Sequence, residues 1–143
     1  MDSSTRNTIR LWAGLDLLTG ALMAFPPVAL AFLGLLYSIN NMFGSHHQIA
    51  DFPALGLMLM SMAGALIMVW ALARLLQPHR QLAMIDTLAR FWVGGLIGWF
   101  VLFEGVPPVI LIFVITEWAG GIHQGLILLG RRQARQAHNN AKL

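Results

Sequence analysis

Long runs of apolar residues dominate the sequence and constrain its fold more than any other feature. Residues 53–76, for example, include a single charged side chain, Arg74. A helix that crosses a membrane needs about 20 predominantly apolar residues, and several runs here approach or exceed that length. Of the 143 residues, 57% are hydrophobic and 10% are charged, whereas about a quarter of a soluble domain is charged. We therefore predict a membrane-embedded, all-α protein.

The apolar runs predict four membrane spans within a single transmembrane domain over residues 1–143. The spans cover about residues 9–25, 53–76, 83–103 and 108–130. The first run lacks a small-residue cleavage site behind it, so we expect a retained span and no removed signal peptide. It ends at Pro26-Pro27, which cannot continue a helix. A shorter run, about 28–39, is too short for a span and suits an interfacial or re-entrant segment. The expected fold class is an all-α, membrane-embedded four-helix bundle with one short interfacial segment.

The placement of the cations predicts the orientation of the bundle. All nine lysines and arginines fall at one end of the four-span arrangement, and residues 38–52 and 103–108 contain none. They are Arg6, Arg10, Arg74, Arg80, Arg90, Arg131, Arg132, Arg135 and Lys142. Because cytoplasmic loops are enriched in such residues, both termini are expected in the cytoplasm, across a bacterial inner membrane. The basic residues flank apolar spans, so they indicate the lipid bilayer and not a nucleic acid as the partner.

Two segments of the chain resemble each other and suggest a tandem two-helix repeat. The sequence RLWAG at 10–14 matches RFWVG at 90–94, and PPVALAF at 26–32 matches PPVILIF at 107–113. The alternative is coincidence produced by a biased membrane composition. The matched spacing from each arginine to its proline pair corresponds to about 24–26 Å of helix, close to the hydrocarbon thickness. Arg10 and Arg90 are therefore expected to be anchors at the inner interface, beside the interfacial Trp12 and Trp92.

Two carboxylates, Asp16 and Glu117, are expected near the membrane midplane. Each lies about 14–15 Å from the outer end of its helix. Ionisable side chains at that depth are costly and usually face the bundle interior, where they are candidates for function. If the two were in contact, one would hold a proton, which suits proton relay, cation coordination or recognition of an amine. The alternative is a packing role, with hydrogen bonds to Thr19, Thr116 or Trp118.

Other polar residues complete the candidate site. Asp16 could reach Arg90, which has i, i+4 spacing to Asp86, and Glu117 could reach His123. Glu117 and Gln124 share one face of the fourth span, and His123 lies on an adjacent face. The candidate ligand- or ion-binding residues are Asp16, Arg90, Glu117, His123 and Gln124.

Motif analysis assigns no catalytic residue, no metal site and no cofactor. Nucleophile elbows, HExxH sequences and phosphate-binding glycine loops are missing, and the chain has no cysteine. His46 and His47, with Asp51 nearby, are expected in a solvated loop. The GxxxG spacings at Gly94/Gly98 and Gly121/Gly125 predict close helix packing.

The overall pattern resembles small four-helix bacterial membrane proteins of the DoxX-like and BphX-like type. The features are Asp16 in the first span with a proline at its outer end, a glycine-rich third span, and the sequence EWAGG at 117–121 in the fourth. The resemblance implies the four-helix fold and does not imply a particular activity.

Three classes of function follow as hypotheses. The first is a non-catalytic accessory or ligand-binding subunit of a larger membrane assembly. The second is an oligomeric transporter or channel for a cation, proton or amine that uses Asp16 and Glu117. The third is an intramembrane enzyme for a lipid or isoprenoid substrate that uses Glu117 and His123 as acid and base. We expect either a homo-oligomer or a partner membrane subunit.

Overall fold

The protein is helical throughout the part of the chain that the computed structural model describes, residues 3–44 and 53–140, with side chains described as far as residue 130. Five α-helices and one 3-10 turn follow each other within these described residues. They are α1 (Ser3–Ala24), α2 (Pro26–Met42), α3 (Ala54–Leu76), α4 (Arg80–Phe103), the turn Pro108–Ile110 and α5 (Leu111–Asn140). The expected all-α class is confirmed. Helix α4 begins three residues before its predicted span, and α5 continues to Asn140, beyond the predicted end at 130.

Several helices are long and apolar enough to cross a membrane. Within the described residues these are α3, α4 and the segment Pro108–Gly130, of 23, 24 and 23 residues. At 1.5 Å per residue each is about 35 Å long, which exceeds the ~30 Å hydrocarbon core. Helices α1 and α2 meet the same criterion only when they are taken together. The described part of the chain therefore has three to four potential spans.

A sharp corner separates α1 from α2. The two helix axes differ in direction by 105°. Phe25 has an extended backbone, and α2 starts at Pro26 with its first turn closed by Ala29 N donating to Phe25 O at 2.8 Å. Proline at the first helical position fits because its missing N–H would have no partner there. The predicted break at Pro26-Pro27 is confirmed, and the segment after it is a helix of 17 residues, longer than the predicted 28–39.

Small residues allow the helices to pack as two pairs, α1 along α3 and α4 along α5. A Cβ placed on Gly64 of α3 would lie 2.5 Å from Ala24 N, and one on Gly20 would lie 2.9 Å from Gly64 O. The two backbones are thus in direct contact, as at other small-residue crossings of helices. In the second pair, a Cβ on Gly94 would lie 2.5 Å from Trp118 Nε1.

The predicted GxxxG contacts are confirmed in part. Gly121 packs against the ring of Phe91, and Gly125 approaches the Thr87 methyl group. Gly98 has no atom within 4 Å of a Cβ placed on it. The α4–α5 contact therefore involves Gly94 but not Gly98, the second glycine of that GxxxG spacing.

Large apolar side chains point away from the bundle. Few apolar residues are buried, and Ile9, Ala83 and Leu128 form a small cluster among them. Leucines on the outer faces, such as Leu66, Leu88 and Leu102, are about 70% exposed. Such an exterior is unfavourable in water and matches the hydrocarbon of a bilayer.

Candidate functional site

Five charged side chains meet between the two helix pairs. They are Asp16 of α1, Arg74 of α3, Asp86 and Arg90 of α4, and Glu117 of α5. We call these five residues the charge cluster. Ion pairs in the cluster join α1 and α3 to α4 and α5, so the same residues connect the halves of the bundle.

Arg90 lies at the centre of the charge cluster and contacts all three carboxylates. Its Nε donates to Asp86 Oδ2 at 3.0 Å, and its Nη1 donates to Glu117 Oε2 at 3.0 Å. Its Nη2 donates to Asp16 Oδ2. The predicted contacts of Arg90 with Asp86 and Asp16 are both present. The side chain is 4% exposed, so it is held inside the bundle and is not an interface anchor that extends toward solvent. Arg10, its counterpart in the proposed repeat, is exposed.

Arg74 is the functional candidate that the sequence analysis missed. Its side chain is 0% exposed, with Nη2 at 2.5 Å from Asp16 Oδ2 and Nη1 at 2.6 Å from Asp86 Oδ2. Its place at the end of a span predicts only an orientation signal. A sequence signal for its role is Trp70, which lies four residues earlier on the same helix face and could hold the arginine inside the bundle. In the structure the Arg74 guanidinium lies 5.6 Å from the centroid of the Trp70 ring, a cation–π distance.

Asp86 is the most fully bonded carboxylate of the cluster. Both arginines contact its Oδ2, as described above, and Trp70 Nε1 donates to its Oδ1 at 2.9 Å. Gln124 Nε2 also donates to Oδ2 at 3.2 Å. Both oxygens of this buried side chain are therefore bonded by protein donors.

Gln124 reaches the charge cluster from α5 and is almost fully buried. Its Nε2 donates to Ala83 O at 2.7 Å and lies 3.2 Å from Thr87 Oγ1, in addition to its contact with Asp86. Gln124 and Glu117 both face α4, as their shared helix face predicts. Gln124 therefore acts as a connector between α5 and α4.

His123 lies apart from the carboxylates. Its Nδ1 accepts a hydrogen bond from Trp12 Nε1 at 3.2 Å, and its side chain is exposed. The expected contact with Glu117 is replaced by this one, and Glu117 bonds to Arg90 instead. Trp12 in turn lies 5.4 Å below the Arg90 guanidinium, a cation–π arrangement. His123 thus supports the cluster indirectly, through Trp12.

The carboxylates of Asp16 and Glu117 do not share a proton by direct contact in this arrangement. Arg90 lies between them and bonds to both. The cluster contains three carboxylates and two guanidinium groups, so it has one negative charge more than positive when all five are ionised. Glu117 is its most exposed member, at 24%.

A cleft opens directly above the charge cluster. Its volume is about 510 Å³, within the range of small-molecule pockets. The walls come mainly from apolar side chains of α1, α2, α4 and α5, including Leu22, Phe32, Leu36, Val93 and Phe113. One end is charged, because Asp16, Asp86, Arg90 and Glu117 line it. Helix α2 closes part of the cleft, and Asn40 Oδ1 holds it to Val109 N at 3.3 Å.

Comparison with known proteins gives no relative: no family profile, no curated protein and no solved structure matches the chain. The site must therefore be interpreted from its own chemistry. His46, His47 and Asp51, which the sequence places in a loop, lie outside the described residues.

Proposed function

We propose that the protein is a non-catalytic, ligand-binding membrane protein whose ligand is an amphiphile, a molecule with an apolar chain and a polar head. The observation that carries this proposal is the cleft with apolar walls and one charged end. An apolar chain in the cleft replaces lipid contacts at little cost. A polar head would be costly in hydrocarbon, and the charge cluster supplies the partners that it needs there.

The proposal includes a membrane topology. Helices α1, α3, α4 and α5 are the four spans, both termini are cytoplasmic, and the membrane is a bacterial inner membrane. Helix α2 lies at the outer interface or re-enters the bilayer. The 105° corner at Phe25 supports a separate segment after the first span. The tandem repeat and the resemblance to DoxX-like and BphX-like proteins belong to the same proposal.

The protein is proposed to work as an accessory subunit, either with a partner membrane protein or with copies of itself. The outer face of α3 supports this, since a row of large side chains including Leu55, Leu59, Met62 and Leu66 is exposed on it. Lipid would cover this face in a monomer, and another helix would cover it in an assembly.

An oligomeric transporter or channel is the second proposal. It is favoured by the one unbalanced carboxylate and by the exposure of Glu117 at the end of the cleft, where a proton, cation or amine would bind. The third hypothesis, an enzyme with Glu117 and His123 as acid and base, gains no support from the geometry. His123 is bonded to Trp12 and is not among the residues that line the cleft.

Photolabelling tests the binding function. Three probes with a C12 chain that carries a diazirine, and with an ammonium, hydroxyl or carboxylate head, are applied to the protein in nanodiscs. We expect at least one probe to label the cleft residues saturably, as mapped by peptide mass spectrometry. Val93→Trp fills the cleft wall and is expected to reduce that labelling at least about fivefold, because the added ring occupies the space of the chain.

Val69→Trp provides the matched control. Val69 is an exposed valine on α3 outside the cleft, so the same substitution there is expected to leave the labelling intact. Labelling that is spread over the outer faces, is unsaturable with all three probes and does not respond to Val93→Trp contradicts the binding function. Proton or cation flux into liposomes that Glu117→Gln abolishes would favour transport instead.

A further inference from the structure

We infer that the head group of the bound amphiphile is a protonated amine with N–H donors. This inference rests on the proposed binding function and makes it more specific. It comes from the hydrogen-bonding groups that face the cleft, among which free acceptors outnumber free donors. A head group that donates hydrogen bonds therefore fits the cleft best.

Most of the donors that line the cleft are already engaged with the protein. Every nitrogen of the Arg90 guanidinium donates to a carboxylate of the charge cluster. The indole N–H groups of Trp12 and Trp70 donate to His123 and Asp86. Two N–H groups of Arg90 remain, one on each Nη, and both belong to nitrogens that already donate to a carboxylate, so an anionic or purely accepting head meets few donors.

The two threonine hydroxyls of the cleft are engaged in the same way. Thr19 Oγ1 donates to Leu15 O at 3.1 Å, and Thr116 Oγ1 donates to Phe113 O at 3.0 Å. Each hydroxyl hydrogen is used within its own helix, so the oxygen that remains toward the cleft is an acceptor.

Two carboxylate oxygens remain open. Asp16 uses Oδ2 for both arginines, and Glu117 uses Oε2 for Arg90. Asp16 Oδ1 and Glu117 Oε1 accept no hydrogen bond from the described residues, although both side chains line the cleft. An ionised carboxylate has about four lone-pair sites, so these oxygens can accept further donors.

Charge balance selects the same ligand. The cluster has three carboxylates and two guanidinium groups. When all five side chains are ionised, a monovalent cation in the cleft neutralises the cluster, whereas an anionic head adds to its excess negative charge. A quaternary ammonium head has the charge but no N–H, and a hydroxyl head has the donor but no charge. Of these heads, only a protonated amine satisfies both conditions.

The experiment compares four ligands with one C12 chain and different heads: dodecylamine, dodecanol, laurate and dodecyltrimethylammonium. Each competes with saturable photolabelling of the cleft in nanodiscs of neutral lipid at pH 7, where the amine is protonated. Charge-assisted hydrogen bonds are stronger than neutral ones, so we expect dodecylamine to bind at least about tenfold more tightly than the other three.

Glu117→Gln keeps the shape of the side chain and removes the charge, and the ratio of amine to alcohol affinity is expected to fall toward one. Glu104→Gln is the control, because it removes an equal charge from an exposed residue that does not line the cleft. The affinity of dodecanol for each variant shows whether its cleft is intact.

The outcomes separate the two proposals. If dodecanol or laurate binds as tightly as dodecylamine in the native protein, the amine inference is overturned while the binding function stands. The same conclusion follows if Glu117→Gln binds dodecanol and retains the full preference for the amine. If none of the four competes with labelling of the cleft, the binding function itself fails.

Discussion

The charge cluster combines buried ionised residues so that their ion pairs and hydrogen bonds offset the cost of removing each charge from water. A single ion in a low-dielectric interior costs several kcal/mol even after relaxation, and an ion pair recovers that cost only with good geometry and further hydrogen bonds. Here Arg90 bonds to three carboxylates, and Asp86 forms ion pairs with two arginines and accepts hydrogen bonds from Trp70 and Gln124. The loss of an arginine from this network therefore removes a cation from more than one carboxylate at once.

Removing Arg74 is expected to destabilise the fold strongly. Arg74→Gln leaves Asp16 and Asp86 with Arg90 as their remaining cation in a buried site, which should cost about 3–5 kcal/mol. Thermal unfolding in detergent, followed by intrinsic tryptophan fluorescence, measures the loss. Arg10→Gln is the control, because Arg10 is exposed on α1, and it should change the stability by less than about 0.5 kcal/mol. Equal effects of the two substitutions would show that the buried pairs contribute no more than a surface charge.

At the level of the helices, small residues determine where α1 and α3 meet. The crossing at Gly20 and Gly64 leaves no room for a side chain, since the nearest backbone atom would lie 2.5 Å from a new Cβ on Gly64. This contact also sets the separation of Asp16 and Arg74, which lie four and ten residues along their helices from the two glycines. Close packing at the crossing thus positions the ion pair.

Gly64→Ala is therefore expected to separate α1 from α3 and to cost about 1–3 kcal/mol through overpacking. The measurement is the shift in unfolding free energy in detergent. Gly98→Ala adds the same methyl group where nothing lies within 4 Å, so it should be neutral or slightly stabilising through its helix propensity. A neutral Gly64→Ala variant would contradict the direct backbone contact.

The helices could be predicted from the sequence because the length of an apolar run and the position of proline act locally. The corner at Pro26 and the bounds of α3 follow from such signals. The role of Arg74 could not be predicted, because an arginine near the end of a span serves equally well as an orientation signal. Which neighbour it meets depends on the α1–α3 crossing, and glycines 44 residues apart give no periodic pattern that would reveal that crossing. Asp16 and Glu117 were identified because a buried carboxylate is costly wherever it lies, although the position of Arg90 between them depends on tertiary packing.

For the whole molecule, the distribution of polarity is the reverse of that in a water-soluble protein. Apolar side chains cover the exterior, while the polar groups converge between the helix pairs. In the proposed topology the membrane surrounds the apolar faces of the spans and leaves the charge cluster between them, so topology and site depend on each other. The absence of cysteine from the sequence makes that topology directly measurable.

Single cysteines provide the test. With cytoplasmic termini, Glu104→Cys lies outside and Gln77→Cys lies inside. A membrane-impermeant maleimide should label Glu104→Cys in intact cells, and Gln77→Cys only after permeabilisation; the native chain is the unlabelled control. The opposite labelling pattern would show the reverse orientation, and equal labelling would place both ends of α4 on one side of the membrane.

Phe25→Cys then distinguishes two arrangements of α1 and α2. If α1 crosses the membrane by itself, Phe25 lies at the outer surface and is labelled from outside. If α1 and α2 form one bent span, Phe25 lies within the bilayer and stays unlabelled, and Phe43→Cys becomes the first labelled position. In that case the charged end of the cleft would lie closer to the cytoplasmic surface.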